Sequence, residues 1–371
     1  MIPFNKAYLT GREMEYMRQA VESGDLCGNG PFTKRCQGFF EEKYGFLKCL
    51  LTTSCTDALE MAAILTGVGS GDEVIVPSYT FVSTAIAFLR TGAKVVFADS
   101  RADEPNIDAA AIESLITPRT KVIAPVHYAG CACDMDAIME IANRRGLLVV
   151  EDAAQAVDSF YKGRPLGSIG HLGCFSFHET KNITSGEGGM LAVNDERFLR
   201  RAEIVWEKGT NRAEFYRGAV NKYGWVDIGS SFLMSEALAA FLWAQVESLD
   251  EIQSRRKAIW NRYAEFFGAY RGKVSLPVLP EGATNNAHMF YLLFHDLAAR
   301  TEFIAKMKES GVGCTFHYLP LHSSKYYETR HDGRPLPNCD RYADTLARMP
   351  LYCGLEKDLD KVLAAAEKAL A

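Results

Sequence analysis

A series of short, almost uninterrupted apolar runs constrains this chain more than any other feature of it. They are Lys48–Leu51, Asp72–Pro77, Lys94–Ala98, Lys121–Val126 and Leu147–Val150. A strand with one wet face alternates apolar and polar residues, whereas a run apolar at successive positions fits a strand covered on both faces. Between the runs lie polar turns and amphipathic stretches such as Ala58–Leu65 and residues 82–91. That rhythm predicts an α/β domain with a mostly parallel sheet and right-handed crossovers. Cys174–Phe177 and Met190–Val193 add strands with no long helix between them. From Ser235 onward, Ala237, Leu238, Ala240, Phe241, Ala244, Leu249 and Ile252 recur at helical spacing, which predicts a helix leading out of this domain. The remainder reads as a smaller α+β domain. It should hold a strand near His288–Phe294, a helix near Thr301–Glu309, a strand near Cys314–Tyr318 and terminal helices after Asn338 and Leu359. The expected division is 1–245 for the large domain and 246–371 for the small one.

Charge and punctuation narrow the function. The net charge is −5 and no basic block stands out, so nucleic acid is not an expected partner, although a local patch could hold a small anion. Met1–Lys6 lacks the charged-then-apolar order of a signal peptide, and no run of about 18 apolar residues suits a membrane span. The expectation is a cytoplasmic protein whose ten cysteines are reduced. Cys131-Ala132-Cys133 is too tightly spaced for a zinc knuckle and no second pair answers it, so no metal is expected. Gly28-Asn29-Gly30 and Gly67-Val68-Gly69 lack the further glycine of a dinucleotide loop, and no Gly-Lys-Ser/Thr occurs. Nicotinamide and nucleoside triphosphate chemistry are disfavoured.

The informative residues cluster after the apolar runs. Thr52–Leu59, with Ser54, Cys55 and Thr56, opens a helix with small residues: a helix cap, or a cradle for a phosphate at the positive helix end. Pro77–Thr84 places Phe81 just beyond another strand, as a core plug or a plate for a planar ring. Asp152 ends the strongly apolar Leu147–Glu151 run, where an unpaired carboxylate would be costly to bury. A salt bridge would remove that cost, and so would a pyridinium N–H. Further on, Phe175–Asn182 sets Ser176 five residues before Lys181. A carboxylate at a strand end followed by Ser-x4-Lys suggests a pyridoxal phosphate site, with Lys181 as the Schiff-base lysine and later a proton carrier. Gln155 could reach a ring substituent, and Ser185–Gly189 makes a flexible turn before the next strand. His127, His178, His288, His317 and His322 could be sugar contacts or acid–base groups, but the preferred reading of each is a hydrogen-bonded structural histidine.

Together these segments resemble the DegT-type sugar-nucleotide aminotransferases, over essentially the whole length. The likeness is carried by Gly28–Thr33, Thr52–Leu59, Pro77–Thr84, Val126–Gly130, Glu151–Gln155, Phe175–Asn182, Gly186–Gly189, Glu207–Arg212 and Phe316–His322. It implies fold type I, the aspartate aminotransferase-like architecture, and pyridoxal 5'-phosphate (PLP) as cofactor. Lys181 would carry the cofactor, Asp152 would pair with its ring nitrogen, Gln155 would contact the ring hydroxyl and Phe81 would stack on the ring. Ser54, Cys55, Thr56 and Ser176 would hold the phosphate. Ser231, in Gly229-Ser230-Ser231-Phe232, stands where many members place an asparagine on a neighbouring subunit's phosphate. Phe4, Asn5, His178, Lys208, Arg212, His317, Tyr318 and His322 are substrate-side candidates by position in the resemblance.

The implied reaction moves an amino group from L-glutamate to C4 of dTDP-4-dehydro-6-deoxy-D-glucose. It yields dTDP-4-amino-4,6-dideoxy-D-galactose, an enterobacterial common antigen precursor, and 2-oxoglutarate. Partners would be these small molecules and a second copy of the chain, as a homodimer with shared sites. One alternative is the same transamination on another nucleotide-linked keto-sugar. A different one is a non-catalytic PLP-binding regulator, although such proteins append a DNA-binding module for which this chain has no spare N-terminal segment.

Overall fold

The computed structural model describes residues 1–371. Its centre is a seven-stranded sheet of order β1-β9-β8-β5-β4-β2-β3. The strands are β1 (Lys48–Thr52), β2 (Glu73–Pro77), β3 (Lys94–Ala98), β4 (Thr120–Ile123), β5 (Leu148–Asp152), β8 (Leu172–Ser176) and β9 (Gly189–Val193). A small hairpin, β6 (Phe160–Tyr161) and β7 (Arg164–Pro165), interrupts the series. Within the seven-stranded sheet every pairing is parallel except those of β9, which runs antiparallel to both β1 and β8. The short β8–β9 connection dictates that exception, because a parallel return needs a crossover of a dozen or more residues.

The apolar runs are explained by burial on both faces. Leu51, Ile75, Ile123 and Val149 enter one core, while Leu50, Val74, Val76, Val122 and Val150 enter the other. Helices α1 (Glu13–Ser23), α2 (Pro31–Tyr44), α3 (Cys55–Thr66), α4 (Val82–Leu89), α5 (Ala109–Leu115), α6 (Met135–Arg145) and α7 (Glu196–Trp206) cover the sheet, and α8 (Arg212–Tyr216) lies beyond them. No helix is long and apolar enough to cross a membrane.

The helical pattern that begins at Ser235 resolves into two helices rather than one exit helix. α9 (Glu236–Glu247) packs against α1 and α2, and α10 (Leu249–Gly268) follows a break at Ser248. Leu249 and Ile252 still belong to the sheet's core, whereas Ile259, Tyr263 and Phe267 enter a third core. The exit therefore runs through α10. Periodicity alone misses the break, because the apolar spacing continues across it.

The third core lies around the three-stranded sheet β10 (Phe290–Leu293), β12 (Leu346–Met349) and β11 (Thr315–Phe316), antiparallel in that order. Helices α11 (Leu297–Glu309), α12 (Pro337–Thr345) and α13 (Leu359–Leu370) accompany it. The amino-terminal segment joins this part of the molecule: Ile2 donates to Gly311 O (2.7 Å) and accepts from Gly313 N (2.9 Å).

Candidate active site

In an open parallel sheet the ligand crevice lies beyond the carboxyl ends of the strands, where the loops turn into helices. A cavity of about 610 Å³ occupies that position. Its wall gathers Ser54, Cys55, Thr56, Phe81, Asp152, Gln155, Ser176 and Lys181, drawn from segments following or ending β1, β2, β5 and β8.

The α3 end supplies the anion-binding element. Ser54 caps the helix by accepting from Asp57 N (3.1 Å), which leaves earlier amides of that turn near the cavity. Thr56 Oγ1 and Ser83 Oγ lie 2.7 Å apart on the same wall. Gly189 permits this packing, since a Cβ there would overlap the Ser54–Cys55 peptide.

Strand alternation separates the two acids that end β5. Glu151 is wholly buried and accepts from His127 Nε2 (2.8 Å), Gly167 N (2.8 Å), Ile169 N (2.7 Å) and Gly170 N (2.5 Å). His127 Nδ1 in turn accepts from Cys133 N (3.2 Å), which leaves Nε2 as the ring donor. Asp152 points the other way, into the cavity. It accepts from Thr84 Oγ1 (2.7 Å) and Ala154 N (3.1 Å) and makes no salt bridge. Burial raises its pKa, against the opposing pull of those hydrogen bonds and of the charge on Lys181. A cationic N–H from a ligand would relieve that cost.

Lys181 sits on a tight turn in which its N–H bonds His178 O (2.9 Å). Its pKa is lowered, chiefly by desolvation and also by the charge of Arg348, while Cys55 and Asp152 act in the opposite sense. A lysine held this way releases its proton more easily than one in water and becomes a nucleophile or base. Phe81 remains 56% exposed although it lines the cavity, so an apolar face is open to a planar ring. An amine, an unpaired carboxylate, an exposed aromatic plate and a helix amino terminus around one space fit a phosphorylated pyridine aldehyde.

The remaining expected residues divide by position. His178, His317 and Tyr318 line the cavity. His178 Nδ1 is 2.9 Å from Thr180 Oγ1, and His317 Nδ1 is 3.0 Å from Tyr128 Oη. Gln155 uses its amide on the protein: Oε1 accepts from Ala129 N (2.6 Å) and Nε2 donates to Tyr318 Oη (3.2 Å). Asn5 Nδ2 donates to Glu179 O (3.3 Å), and the Phe4 ring lies 4.9 Å from the Arg348 guanidinium carbon. His322 lies outside the cavity wall, with Nδ1 2.8 Å from Ser78 Oγ. Lys208, Arg212 and Ser231 also lie elsewhere in the single chain. Lys208 N donates to Ser230 O (3.0 Å), Ser231 bridges Glu207, and Arg212 lines a second cavity beside Gly28 and Asn29.

Three further residues at or beside the cavity take their place from partners distant in sequence. Thr84 closes the Pro77–Thr84 segment without lining the cavity, and its bond to Asp152 joins the segment after β2 to the end of β5, two strands that β4 separates in the sheet. His288 faces the cavity and bonds Asn182 Oδ1 (2.9 Å), with a pKa pushed well down by burial. Arg348 sits inside an apolar run of the small sheet, with no motif to mark it.

Comparison with known proteins follows the same lines. The model of the DegT/DnrJ/EryC1/StrS aminotransferase family matches residues 8–367. The chain belongs to this aminotransferase family. It is 34% identical over 374 residues to the spore coat polysaccharide biosynthesis protein SpsC of Bacillus subtilis, covering 98% of this chain and 96% of SpsC. The aminotransferase TlmJ of Streptoalloteichus hindustanus superposes with a TM-score of 0.91 at 31% identity, covering 100% of this chain and 99% of TlmJ. The PLP form of the putative sugar aminotransferase Spr1654 of Streptococcus pneumoniae gives 0.90 at 27% identity, with 100% of both chains covered. Family membership makes the chain an aminotransferase and accounts for the fold.

Proposed function

We propose that the chain is a PLP-dependent sugar-nucleotide aminotransferase acting on C4 of dTDP-4-dehydro-6-deoxy-D-glucose, with L-glutamate as amino donor. The observation that carries the chemistry is the meeting of Lys181 and Asp152 at one cavity with the start of α3. The similarity to a protein solved in PLP form and to a family of aminotransferases supports the cofactor. The choice of sugar rests on the sequence likeness, carried by Met1–Asn5, Asp72–Val82 and His178–Lys181.

When bound, the cofactor supplies an electron sink that stabilises negative charge on a substrate carbon. The chain's own residues do the rest. Asp152 would hold the protonated ring nitrogen, which keeps the ring electron-poor. Cys55, Thr56 and Ser176 would hold the phosphate, and Phe81 would cover one ring face. The Lys181 amine removes a proton from the donor's amino-bearing carbon and delivers one to C4 of the sugar. The face of that delivery decides the galacto product, a component for enterobacterial common antigen or O-antigen assembly in the cytoplasm.

A homodimer with shared sites completes this reading. Trp225 is 85% exposed and Ile228 61%, an apolar surface beside Ser231 that a second copy would cover. Ser231, Lys208 and Arg212 would then serve the neighbouring cavity.

The decisive test is product analysis with a panel of nucleotide-linked keto-sugars. Turnover of the dTDP-linked C4 ketone to the galacto amine is expected. Preference for a UDP-linked or C3-keto substrate would replace the substrate assignment and keep the transamination.

A further inference from the structure

His288 stands just before β10, and its ring lines the cavity while being only 4% exposed. Its surroundings fix where its proton sits. Asn182 Nδ2 lies 2.8 Å from Asn286 O and 2.8 Å from Gln253 Oε1. A backbone carbonyl only accepts, so that end of Asn182 is the amide nitrogen, and the other end, Oδ1, can only accept in turn. The 2.9 Å bond between Asn182 Oδ1 and His288 Nδ1 therefore places the imidazole proton on Nδ1. Arg256 of α10 holds the backbone behind the ring: its Nε donates to Ala287 O (3.1 Å) and its Nη2 to His288 O (2.7 Å).

Burial disfavours a second proton on the ring, and the positive charges of Lys181, Arg348 and Arg256 add to that. Nε2 is left as a lone pair, and it makes no hydrogen bond within the chain. A buried acceptor without a donor is an exception that calls for a reason. The Lys181 amine is its counterpart: a donor on the same wall that also makes no hydrogen bond or salt bridge within the chain. Arg348 is the other idle donor of that wall, its Nε buried without a partner. Position favours Lys181. One peptide joins it to Asn182, which grips the ring, and its charge acts on the ring more strongly than those of Arg348 and Arg256.

We propose that His288 is a positioning residue for Lys181, its Nε2 receiving an N–H of the lysine amine whenever that amine is free of the cofactor. The proposal rests on the aminotransfer reading above, in which the freed amine carries the proton. An amine that spends one N–H on a fixed acceptor keeps one orientation, so its lone pair points in one direction rather than many. The same acceptor favours the protonated amine, because a charged N–H donates more strongly than a neutral one.

The test reads Lys181 in the cofactor-free protein, without turnover. Wild type, His288→Asn and His288→Gln are mixed with PLP, and the rate at which the visible absorbance of bound cofactor appears is followed against pH. His288→Asn keeps a donor for Asn182 Oδ1 and removes the acceptor on the cavity side. It is expected to move the inflection of the profile down by about one pH unit, because the ammonium loses its acceptor and sheds its proton more easily. His288→Gln, long enough to offer an amide oxygen to the lysine, should reverse at least half of that displacement. The other ionisable groups facing Lys181 are Cys55, Asp152 and Arg348, and those facing His288 include Arg256 and His317; all stay in place in both variants. An inflection that does not move in His288→Asn overturns the proposal, even where the rate falls at every pH, since a merely structural histidine would act that way. A glutamine variant displaced as far as the asparagine one overturns it too. Should the asparagine variant fail to fold, nitrogen NMR spectra of the wild-type imidazole decide: Nδ1 protonated and Nε2 bare is expected, and a proton on Nε2 overturns the proposal. Absence of the visible absorbance from wild type would sink the aminotransfer reading instead.

Discussion

Glu151 and Asp152 are adjacent acids, both buried, and they lie in opposite worlds. On the Glu151 side every bond to the carboxylate comes from the protein, through one imidazole and three backbone amides. On the Asp152 side two neutral donors face it, and the cavity lies open beyond. Arg256 and Arg348 repeat the contrast in the small sheet's neighbourhood. Burial by itself does not mark function. A buried charge whose partners are complete holds the fold, and one whose partners fall short at a cavity is waiting for a ligand.

The largest effect expected on the open side is at Lys181. Lys181→Ala should lower turnover roughly 10³- to 10⁴-fold while the far-ultraviolet circular dichroism stays unchanged. Full activity in that variant would end the contrast as a functional one.

Asp152→Asn comes next, with a fall in turnover of roughly 10²- to 10³-fold. Its stability effect should have the opposite character. Burial raises the Asp152 pKa in the folded chain, so the native state keeps a proton that the unfolded chain releases. That contribution is present at low pH and lost as pH rises through the raised value. Denaturant melts of the cofactor-free protein should therefore show Asp152→Asn as stable as wild type, or more so, at neutral pH, with the gap narrowing in acid. A large loss of stability at neutral pH would place Asp152 on the structural side.

Glu151→Gln should do the reverse. It leaves buried amides short of an acceptor and is expected to cost about 3 kcal/mol of folding stability, read from the same melts. Cofactor affinity in the folded fraction should hardly change. Smallest of all, Phe81→Ala removes the exposed plate and should weaken cofactor binding by about 1 kcal/mol, roughly fivefold, in an absorbance titration.

Much of this arrangement is legible in the chain. The apolar runs announce strands buried on both faces, and the βα rhythm announces a parallel sheet. The residues that motifs single out, from Ser54 to Lys181, are brought by the fold to one cavity. What local reading misses is of one kind. Thr84, His288 and Arg348 matter through neighbours far away in sequence: the sequence names Thr84 and His288 but not their bonds to Asp152 and Asn182, and nothing beside Arg348 distinguishes it from an ordinary strand residue. The break at Ser248 hides for a related reason: apolar spacing reports a buried face, not the continuity of the helix behind it.

Sequence by itself determines which residues can carry chemistry here, because an amine, a carboxylate and small hydroxyl residues following apolar strands are set by residue type and short spacing. Only the tertiary structure decides which of them are left incomplete. Hydrogen-bond partners are supplied across the sheet and between its cores, so whether a buried charge is satisfied, as in Glu151 and Arg256, or left facing a cavity, as in Asp152 and Arg348, depends on what the fold places opposite it.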